Sequence, residues 1–245
     1  GPVTTTAKAE ELVRQPLGFA VEGFVFEDLD RDGTLDLALL REHKDDVGSA
    51  LLFYRGDGAG KLVRDPLWSS GAAARSAEVL LAEDFDNDGD LDLYLCQNRA
   101  NSLLLLDEGK GAYRDVASDS GLSHSGDCDA AIAGDIDGDG RVDVVVLAYG
   151  RAPELLYNQL PTQNWIGVVV AQPEGGAPIG ARVDLLDPAS GDTLATRWTR
   201  RGRGFGSTGP WELRFGLSAR EHVDLRVRFP NGHERIQRGA SAGAT

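Results

Sequence analysis

The sequence is poor in several residue types, and each shortage excludes a class of protein. It contains no methionine, so we expect that residue 1 is not a natural start and that Gly1-Pro2 is a tag-cleavage scar or a processed mature end. No apolar run is long enough to cross a bilayer, which predicts no membrane insertion. Only 25 Lys and Arg oppose 39 Asp and Glu. The resulting net charge of −14 repels phosphate backbones and argues against nucleic acid as a partner.

Cysteine and histidine are scarce as well, with two and four residues. Cys96 and Cys128 either form a disulfide or are small buried strand residues. The stretch "HSGDCD" gathers His124, Asp127, Cys128 and Asp129. Because Cys128 falls at the start of an expected strand, a Cys/His nucleophile is not favoured there. The sequence also has no G-x-S-x-G motif, and "GHERI" lacks the second histidine of a zincin.

Glycine, in contrast, is abundant at 31 residues, and helical periodicity is scarce. Short apolar runs alternate with turn residues along most of the chain. This pattern is typical of strands joined by tight turns, and it predicts an all-β protein.

An acidic motif of the form D-x-D-x-D-G-x-x-D occurs three times. The copies are "FEDLDRDGTLDLALL", "AEDFDNDGDLDLYLC" and "AGDIDGDGRVDVVVL". Their first aspartates, Asp28, Asp84 and Asp135, are 56 and 51 residues apart. We call residues 28–36 loop 1, residues 84–92 loop 2 and residues 135–143 loop 3.

The spacing of the acidic residues predicts calcium binding, with about three ions per chain. Calcium takes roughly six to eight oxygen ligands, and a sharply turning loop offers carboxylates from positions 1, 3, 5 and 9 and a carbonyl from position 7. The glycine at position 6 permits the turn. The candidate ligands are Asp28, Asp30, Asp32, the Thr34 carbonyl and Asp36; Asp84, Asp86, Asp88, the Asp90 carbonyl and Asp92; and Asp135, Asp137, Asp139, the Arg141 carbonyl and Asp143.

Two other interpretations of the loops are weaker. An EF-hand loop ends in a bidentate Glu at position 12 and leads into a helix. Position 12 here is Leu39, Leu95 or Val146, within runs typical of strands. A plain Asp-Gly hairpin turn would explain one aspartate per copy and leave three unexplained.

The repeats resemble FG-GAP or VCBS repeats, which form the calcium-loop blades of integrin-type β-propellers. The stretches "LLFYRGDGAGKLVRD" (51–65) and "LLLLDEGKGAYRDVASDSGL" (103–122) are similar to the Gly-rich outer half of such blades. The resemblance implies that each acidic loop joins an inner strand to a second strand. Inner strands are expected at residues 19–26, 77–82 and 130–134, and second strands at residues 35–40, 91–95 and 142–148.

From residue 164 the chain resembles the ASPIC and UnbV domain of the cartilage acidic protein group. The matching pieces are "NWIGV", "IGARVDL", "RRGRGF", "LRFGL" and "VDLRVRFPNG". Alternation predicts a compact β domain with strands near residues 166–171, 181–187, 193–199, 211–216 and 223–229.

These assignments divide the chain into four parts. Residues 1–18 are an N-terminal segment that could supply a closing strand, although residues 7–13 also fit a short helix. Residues 19–160 hold three blades, residues 161–238 the ASPIC/UnbV-like domain and residues 239–245 a tail.

Three blades are too few to close a propeller, which normally has four to eight. The chain is cut from a longer protein, or blades come from another subunit, or the terminal segments close a small irregular ring. We favour a partial or irregular propeller whose open edge is covered by the C-terminal domain or by a partner.

Two further motifs give weaker indications of function. The "RGD" at residues 55–57 falls in the expected Gly-rich turn, so adhesion through it is not favoured. The basic stretch "RWTRRGRGF" contains Arg197, Arg200, Arg201 and Arg203. It fits a solvated strand and turn that complements the acidic propeller, and the alternative is a site for an anionic glycan.

The sequence therefore predicts a non-catalytic, calcium-stabilised extracellular module that binds protein or glycan, in an oligomer or larger complex that completes the propeller. A secreted, periplasmic or cell-surface location follows, because calcium is plentiful there. The alternative is a propeller-based lyase or dehydratase acting on polysaccharide. That alternative needs His124 or His222 to meet Tyr149, Tyr157 and an arginine in one pocket.

Overall fold

The computed structural model describes residues 18–41, 50–66, 74, 76–109, 112–171, 178–200 and 212–243. The described residues form 19 strands and one four-residue helix. This confirms the all-β prediction. None of the described helices is long and apolar enough to cross a membrane.

Blade 1 is a four-stranded antiparallel sheet in the order β1-β2-β3-β4. Its strands are β1 (Val21–Glu27), β2 (Asp36–Arg41), β3 (Ala50–Gly56) and β4 (Leu62–Arg64). Loop 1 connects β1 to β2. The loop therefore leads into a strand, as the sequence predicts, and not into a helix.

Blade 2 repeats this arrangement, with loop 2 between its first two strands. Its sheet order is β5-β6-β8-β9. The elements of this region are β5 (Ala77–Glu83), β6 (Asp92–Gln97), β7 (Ala100–Asn101), β8 (Leu103–Asp107), β9 (Tyr113–Asp115), α1 (Ala117–Ser120) and β10 (Ser125–Gly126). The short strands β7 and β10 pair with each other beside the blade.

Blade 3 has three strands in the described part of the chain, in the order β11-β12-β13. They are β11 (Ala130–Gly134), β12 (Asp143–Leu147) and β13 (Glu154–Leu156), with loop 3 between β11 and β12. The partial propeller is thus a row of three antiparallel blades.

The C-terminal domain contains two further sheets. A two-stranded sheet pairs β14 with β17, and a four-stranded sheet has the order β16-β15-β18-β19. The strands are β14 (Asn164–Val168), β15 (Arg182–Leu186), β16 (Thr193–Trp198), β17 (Leu213–Ser218), β18 (His222–Arg228) and β19 (Glu234–Ser241). The strand β19 was not expected, and it includes residues that the sequence analysis assigned to the tail.

Apolar cores lie between neighbouring blades and inside the C-terminal domain. One core joins blade 1 to blade 2 and includes Val25, Phe53 and Leu93. A second joins blade 2 to blade 3 around Tyr94 and Val144. Burial of these side chains, at roughly 25 cal/mol per Å² of apolar surface, stacks the blades and positions the three loops.

A disulfide between Cys96 and Cys128 also connects blade 2 to blade 3. It decides between the two alternatives left open for these cysteines. Because Cys128 is bonded to sulfur, it supplies no free thiol for a Cys/His nucleophile. The expected closing strand or helix near the N-terminus falls outside the described residues.

Candidate metal centre

The three acidic loops share one backbone geometry. The glycine at position 6 has a left-handed φ of +84° in loop 1, +106° in loop 2 and +91° in loop 3. This is the turn that the sequence predicted, and it favours a residue without Cβ. Position 4 is left-handed too, which the sequence analysis missed. Its φ values are 63° at Arg31, 61° at Asn87 and 78° at Gly138.

The first aspartate of each loop stabilises this turn with a hydrogen bond. Its Oδ2 accepts the backbone N–H of the position-6 glycine over 3.0 Å in every loop. The pairs are Gly33 to Asp28, Gly89 to Asp84 and Gly140 to Asp135. The three loops are therefore equivalent in structure as well as in sequence.

The aspartates at positions 3 and 5 accept backbone N–H groups two residues further along the chain. These hydrogen bonds recur in all three loops with donor–acceptor distances from 2.7 to 3.2 Å. Each bond holds one carboxylate oxygen over the loop and leaves lone pairs on the aspartate for another ligand. The acceptors are Asp30, Asp32, Asp86, Asp88, Asp137 and Asp139.

The aspartate at position 9 connects its loop to the third strand of the blade. In loop 2, Oδ2 of Asp92 accepts the N–H of Phe85 at 2.8 Å and Oδ1 accepts that of Asp107 at 2.9 Å. Asp36 and Asp143 make the equivalent pairs of bonds. These residues thus have a structural role that the sequence analysis did not foresee, in addition to their predicted role as ligands.

Carboxylate oxygens converge in each loop. Three groups each offer one oxygen from every member within 4.8 Å of the others. The groups are Asp28 with Asp30 and Asp32, Asp84 with Asp86 and Asp92, and Asp135 with Asp137 and Asp143. An all-oxygen donor set of this kind suits a hard cation such as calcium.

Two aspartates of these groups each have one buried carboxylate oxygen without a hydrogen-bond partner. Oδ1 of Asp28 and Oδ1 of Asp84 accept no hydrogen bond, and the residues are 1% and 2% exposed. An unpaired buried carboxylate oxygen is costly unless it coordinates a cation or is protonated. The two atoms therefore fit metal ligands better than they fit a metal-free loop.

The pKa values of three loop aspartates are raised by burial and by the charges of neighbouring carboxylates. Burial raises the pKa of Asp28 and of Asp84 to about 7, and Arg197 opposes this rise in both. Burial also raises the pKa of Asp86 to about 6, and repulsion from Asp88 adds to it. In the absence of a cation, ionised carboxylates are thus unfavourable in these loops.

Arginines neutralise two loops more than the third. Arg55 forms an ion pair with Asp30 in loop 1, and in loop 3 Arg141 pairs with Asp139. Arg214 reaches Asp135 over 3.1 Å. Within the described residues, no ion pair involves the four predicted side-chain ligands of loop 2, although Arg31 contacts the neighbouring Asp90. Loop 2 therefore differs from loops 1 and 3 in the absence of such an ion pair among the described residues, although Arg197 still partly offsets the rise that burial causes in the pKa of Asp84.

The C-terminal domain contacts all three loops at or near the position-6 glycine. Arg182 donates from Nη1 to the carbonyl oxygen of Gly33 in loop 1 at 2.8 Å. In loop 3, a Cβ on Gly140 would lie 2.0 Å from Nε1 of Trp165. The absence of a side chain at position 6 thus serves two purposes, the turn and the close approach of the second domain.

The contact with loop 2 is made by β17. The N–H of Gly216 donates to Oδ2 of Asp84 at 2.7 Å. Ser218 donates from its backbone N–H to the Asn87 carbonyl at 3.0 Å and from Oγ to the Asp88 carbonyl at 2.8 Å. One strand of the C-terminal domain therefore donates three hydrogen bonds to a loop more than a hundred residues earlier.

The basic stretch differs from the expected solvated strand and turn. Arg197 is buried at 6% exposure, and its guanidinium lies 5.3 Å from the centre of the Phe215 ring. Arg200 forms an ion pair with Glu27 at the end of β1, which agrees with the expected complementarity to the propeller. Arg201 and Arg203 lie outside the described residues.

The other candidate motifs are occupied by structural contacts. Arg55 of the RGD triplet pairs with Asp30 and Asp65, and Oδ1 of Asp57 accepts N–H groups of its own turn. His124 lies 3.0 Å from Glu154, in the blade region. His222 begins β18 in the C-terminal domain and lies 3.4 Å from Ser241. None of these contacts joins a histidine to Tyr149 or Tyr157, and Tyr149 is 96% exposed.

Comparison with protein-family models agrees with this architecture. A model described as FG-GAP-like repeat matches residues 28–95 and 84–146, which together contain all three loops. The molecule is thus a β-blade repeat protein with an appended domain. A second model, described as ASPIC and UnbV, matches residues 173–245. The chain therefore carries FG-GAP-like repeats and a C-terminal ASPIC/UnbV domain. No curated protein matches it significantly.

Proposed function

We propose that the protein is a non-catalytic, calcium-stabilised interaction module that works outside the cytoplasm, secreted, periplasmic or on the cell surface, and binds protein or glycan. The observation that carries this proposal is the pair of buried, unpartnered oxygens on Asp28 and Asp84. They belong to the first aspartate of two loops, and in each loop this aspartate and two others offer oxygens within 4.8 Å of one another. A cation bound in each of the two loops would satisfy the unpartnered oxygen of that loop.

The ligands of each ion would come from one loop. Aspartates at positions 1, 3, 5 and 9 would supply carboxylate oxygens, and Thr34, Asp90 and Arg141 would supply backbone carbonyls. The ion would contribute positive charge that offsets carboxylate repulsion. Three divalent ions would neutralise six of the 14 net negative charges.

Calcium would also stabilise the contact between the domains. The C-terminal domain contacts loop 1 through Arg182, loop 2 through Gly216 and Ser218, and loop 3 through Arg214. A cation that fixes the loops would fix the surface on which this domain packs. The module would then present the propeller and the C-terminal domain to its partner as one rigid unit.

The proposed location outside the cytoplasm follows from the calcium concentration that such sites need. Calcium sites of extracellular modules have dissociation constants of about 10⁻⁴ to 10⁻³ M, which only a calcium-rich compartment saturates. The disulfide between Cys96 and Cys128 is also typical of oxidising compartments.

Thermal unfolding tests the proposal. In roughly 2 mM calcium, a site with a dissociation constant near 10⁻⁴ M contributes about 2 kcal/mol. Three such sites would raise Tm by roughly 10 °C or more relative to protein in excess EGTA. Magnesium at the same concentration is the control, because it prefers a tighter octahedral site. An identical Tm in calcium, magnesium and EGTA would refute calcium binding.

A further inference from the structure

The side chain at position 4 of a loop contacts the next loop. In loop 1, Nη1 of Arg31 lies 2.5 Å from Oδ1 of Asp90, at position 7 of loop 2. In loop 2, Nδ2 of Asn87 donates to the carbonyl oxygen of Gly140, at position 6 of loop 3, over 2.9 Å. The three loops are therefore connected in sequence order, loop 1 to loop 2 and loop 2 to loop 3.

The contact between loops 2 and 3 is the more buried of the two. Asn87 is 1% exposed, whereas the side chain of Arg31 is 45% exposed. An exposed ion pair contributes little, because water and salt screen it. A buried hydrogen bond is different, since neither partner can turn to water when the bond is broken. We therefore expect the Asn87 contact to be the stronger link between loops.

The carbonyl that accepts the Asn87 bond belongs to the peptide group between Gly140 and Arg141. The N–H of the same peptide group donates to Oδ1 of Asp139 at 2.9 Å. Asp139 is a candidate ligand at position 5, and Arg141 offers the candidate carbonyl ligand at position 7. Because a peptide group is planar, Asn87 orients the segment of loop 3 that lies between these two ligands.

Asn87 also lies between two candidate ligands of its own loop, Asp86 and Asp88. Its left-handed φ of 61° sets the turn between them, and its carbonyl accepts the N–H of Ser218 at 3.0 Å. A cation in loop 2 would hold the two aspartates, and with them the backbone of Asn87, in this geometry. Without the cation, repulsion between neighbouring carboxylates works against it. The orientation of the Asn87 amide is therefore linked to the occupancy of loop 2.

From these contacts we propose that Asn87 is a positioning residue that couples calcium binding by loop 2 to calcium binding by loop 3. The hydrogen bond to Gly140 requires the ordered geometry of both loops, so an ion in either loop favours that geometry in the other. A coupling of the size of one hydrogen bond changes affinity about fivefold, and it acts equally in both directions. The inference rests on the proposed calcium binding and adds that two of the sites fill cooperatively.

Nuclear magnetic resonance of the full chain follows loop 3 by itself. The backbone N–H of Gly140 donates to Asp135, a candidate ligand of loop 3, so its amide signal is expected to shift as calcium fills that loop. A calcium titration of EGTA-stripped protein then gives the dissociation constant of loop 3. The same titration is repeated after Asp86→Asn, which weakens loop 2 and leaves every candidate ligand of loop 3 unchanged. Asp88→Asn serves if Asp86→Asn does not fold.

Asn87→Gly removes the link between the two loops. Glycine occupies position 4 of loop 3 with a φ of 78° at Gly138, so it is compatible with this turn. In the wild-type background, Asp86→Asn is expected to raise the dissociation constant of loop 3 roughly twofold to fivefold. In the Asn87→Gly background, the same substitution is expected to leave this constant unchanged.

Gly138→Asn is the matched control for the change at position 4. It adds an asparagine side chain in loop 3, where a Cβ would meet no other described residue within 4 Å. In this background the effect of Asp86→Asn on loop 3 is expected to persist.

Two outcomes overturn the coupling and leave calcium binding in place. In the first, Asp86→Asn does not change the dissociation constant of loop 3 in the wild-type background. In the second, it changes this constant by the same factor with and without Asn87→Gly, as a purely structural role of Asn87 would give. A Gly140 signal that does not respond to calcium in the wild type contradicts both the coupling and calcium binding by loop 3.

Discussion

The backbone N–H of Gly216 donates a hydrogen bond to Oδ2 of Asp84 over 2.7 Å, across 132 positions of sequence. Asp84 is a predicted ligand of loop 2, and Gly216 belongs to β17 of the C-terminal domain. The hydrogen bond therefore ties a proposed metal site directly to the packing of the second domain. We therefore expect a substitution in loop 2 to affect the packing of the C-terminal domain, and a substitution in β17 to affect calcium binding by loop 2.

Gly216→Ala tests this connection from the C-terminal side. A Cβ at residue 216 would lie 2.2 Å from the carbonyl carbon of Asn87 and 2.4 Å from Oδ2 of Asp84. Since neither backbone nor buried carboxylate can easily move away, we expect a loss of roughly 2–3 kcal/mol and faster proteolysis between the domains. Ser218→Ala removes only the hydroxyl bond to Asp88 and should cost about 1 kcal/mol. Equal effects of the two variants on urea unfolding would contradict the close packing at Gly216.

Asp84→Asn tests the same connection from the loop side. The amide keeps the size of the side chain but supplies a weaker ligand, and no described arginine forms an ion pair with the predicted side-chain ligands of loop 2. We expect the variant to lose at least a third of the calcium-dependent rise in Tm. Asp119→Asn, in α1 and far from the loops in sequence, is the charge-matched control. A full calcium response in Asp84→Asn would remove Asp84 from the ligand set.

Much of this arrangement could be predicted from local sequence pattern. The Asp-x-Asp-x-Asp-Gly spacing predicted the turn, and the apolar run beginning at residue 142 predicted β12. Both depend on neighbours within about ten residues, where side-chain alternation and glycine conformations decide the structure.

Contacts between distant segments could not be predicted in this way. Arg182 binds the Gly33 carbonyl 149 positions away, and neither residue differs from an ordinary strand arginine or loop glycine in sequence. The strand β19 was missed because seven of its eight residues are exposed, which hides the alternation that marks a half-buried strand. The pairing of Cys96 with Cys128 likewise needed the packing of blade 2 on blade 3.

Arg214 offers a test of the contact with loop 3. Its guanidinium pairs with Asp135 at 3.1 Å and lies 3.9 Å from the centre of the Trp165 ring. Both side chains of the ion pair are 8% exposed, so Arg214→Gln would leave the Asp135 carboxylate without its arginine partner and with only backbone N–H groups as donors. We expect a loss of about 3 kcal/mol in chemical unfolding. Arg151→Gln, which breaks an exposed pair with Asp127, should change stability by less than about 0.5 kcal/mol.

Stability should depend on pH in opposite directions with and without calcium. Without calcium, burial raises the folded-state pKa of Asp28 and Asp84 from 3.8 to about 7. The folded state then binds protons that the unfolded state has released, so stability is lost as pH rises through about 7. With calcium, the carboxylates must stay ionised, and acid displaces the ion.

Differential scanning calorimetry at roughly pH 5.5 and 8 checks this expectation. In EGTA, Tm should be higher at the lower pH, and in calcium it should be lower there. The same pH trend under both conditions would contradict the assignment of these two aspartates as calcium ligands.

The most direct test of calcium binding by the three loops is the number of calcium ions bound per chain. Calorimetric titration of EGTA-stripped protein measures this number. We expect about three sites, one of which is lost in Asp84→Asn. Binding of no calcium up to roughly 10 mM, well above the dissociation constants of extracellular modules, would contradict this expectation.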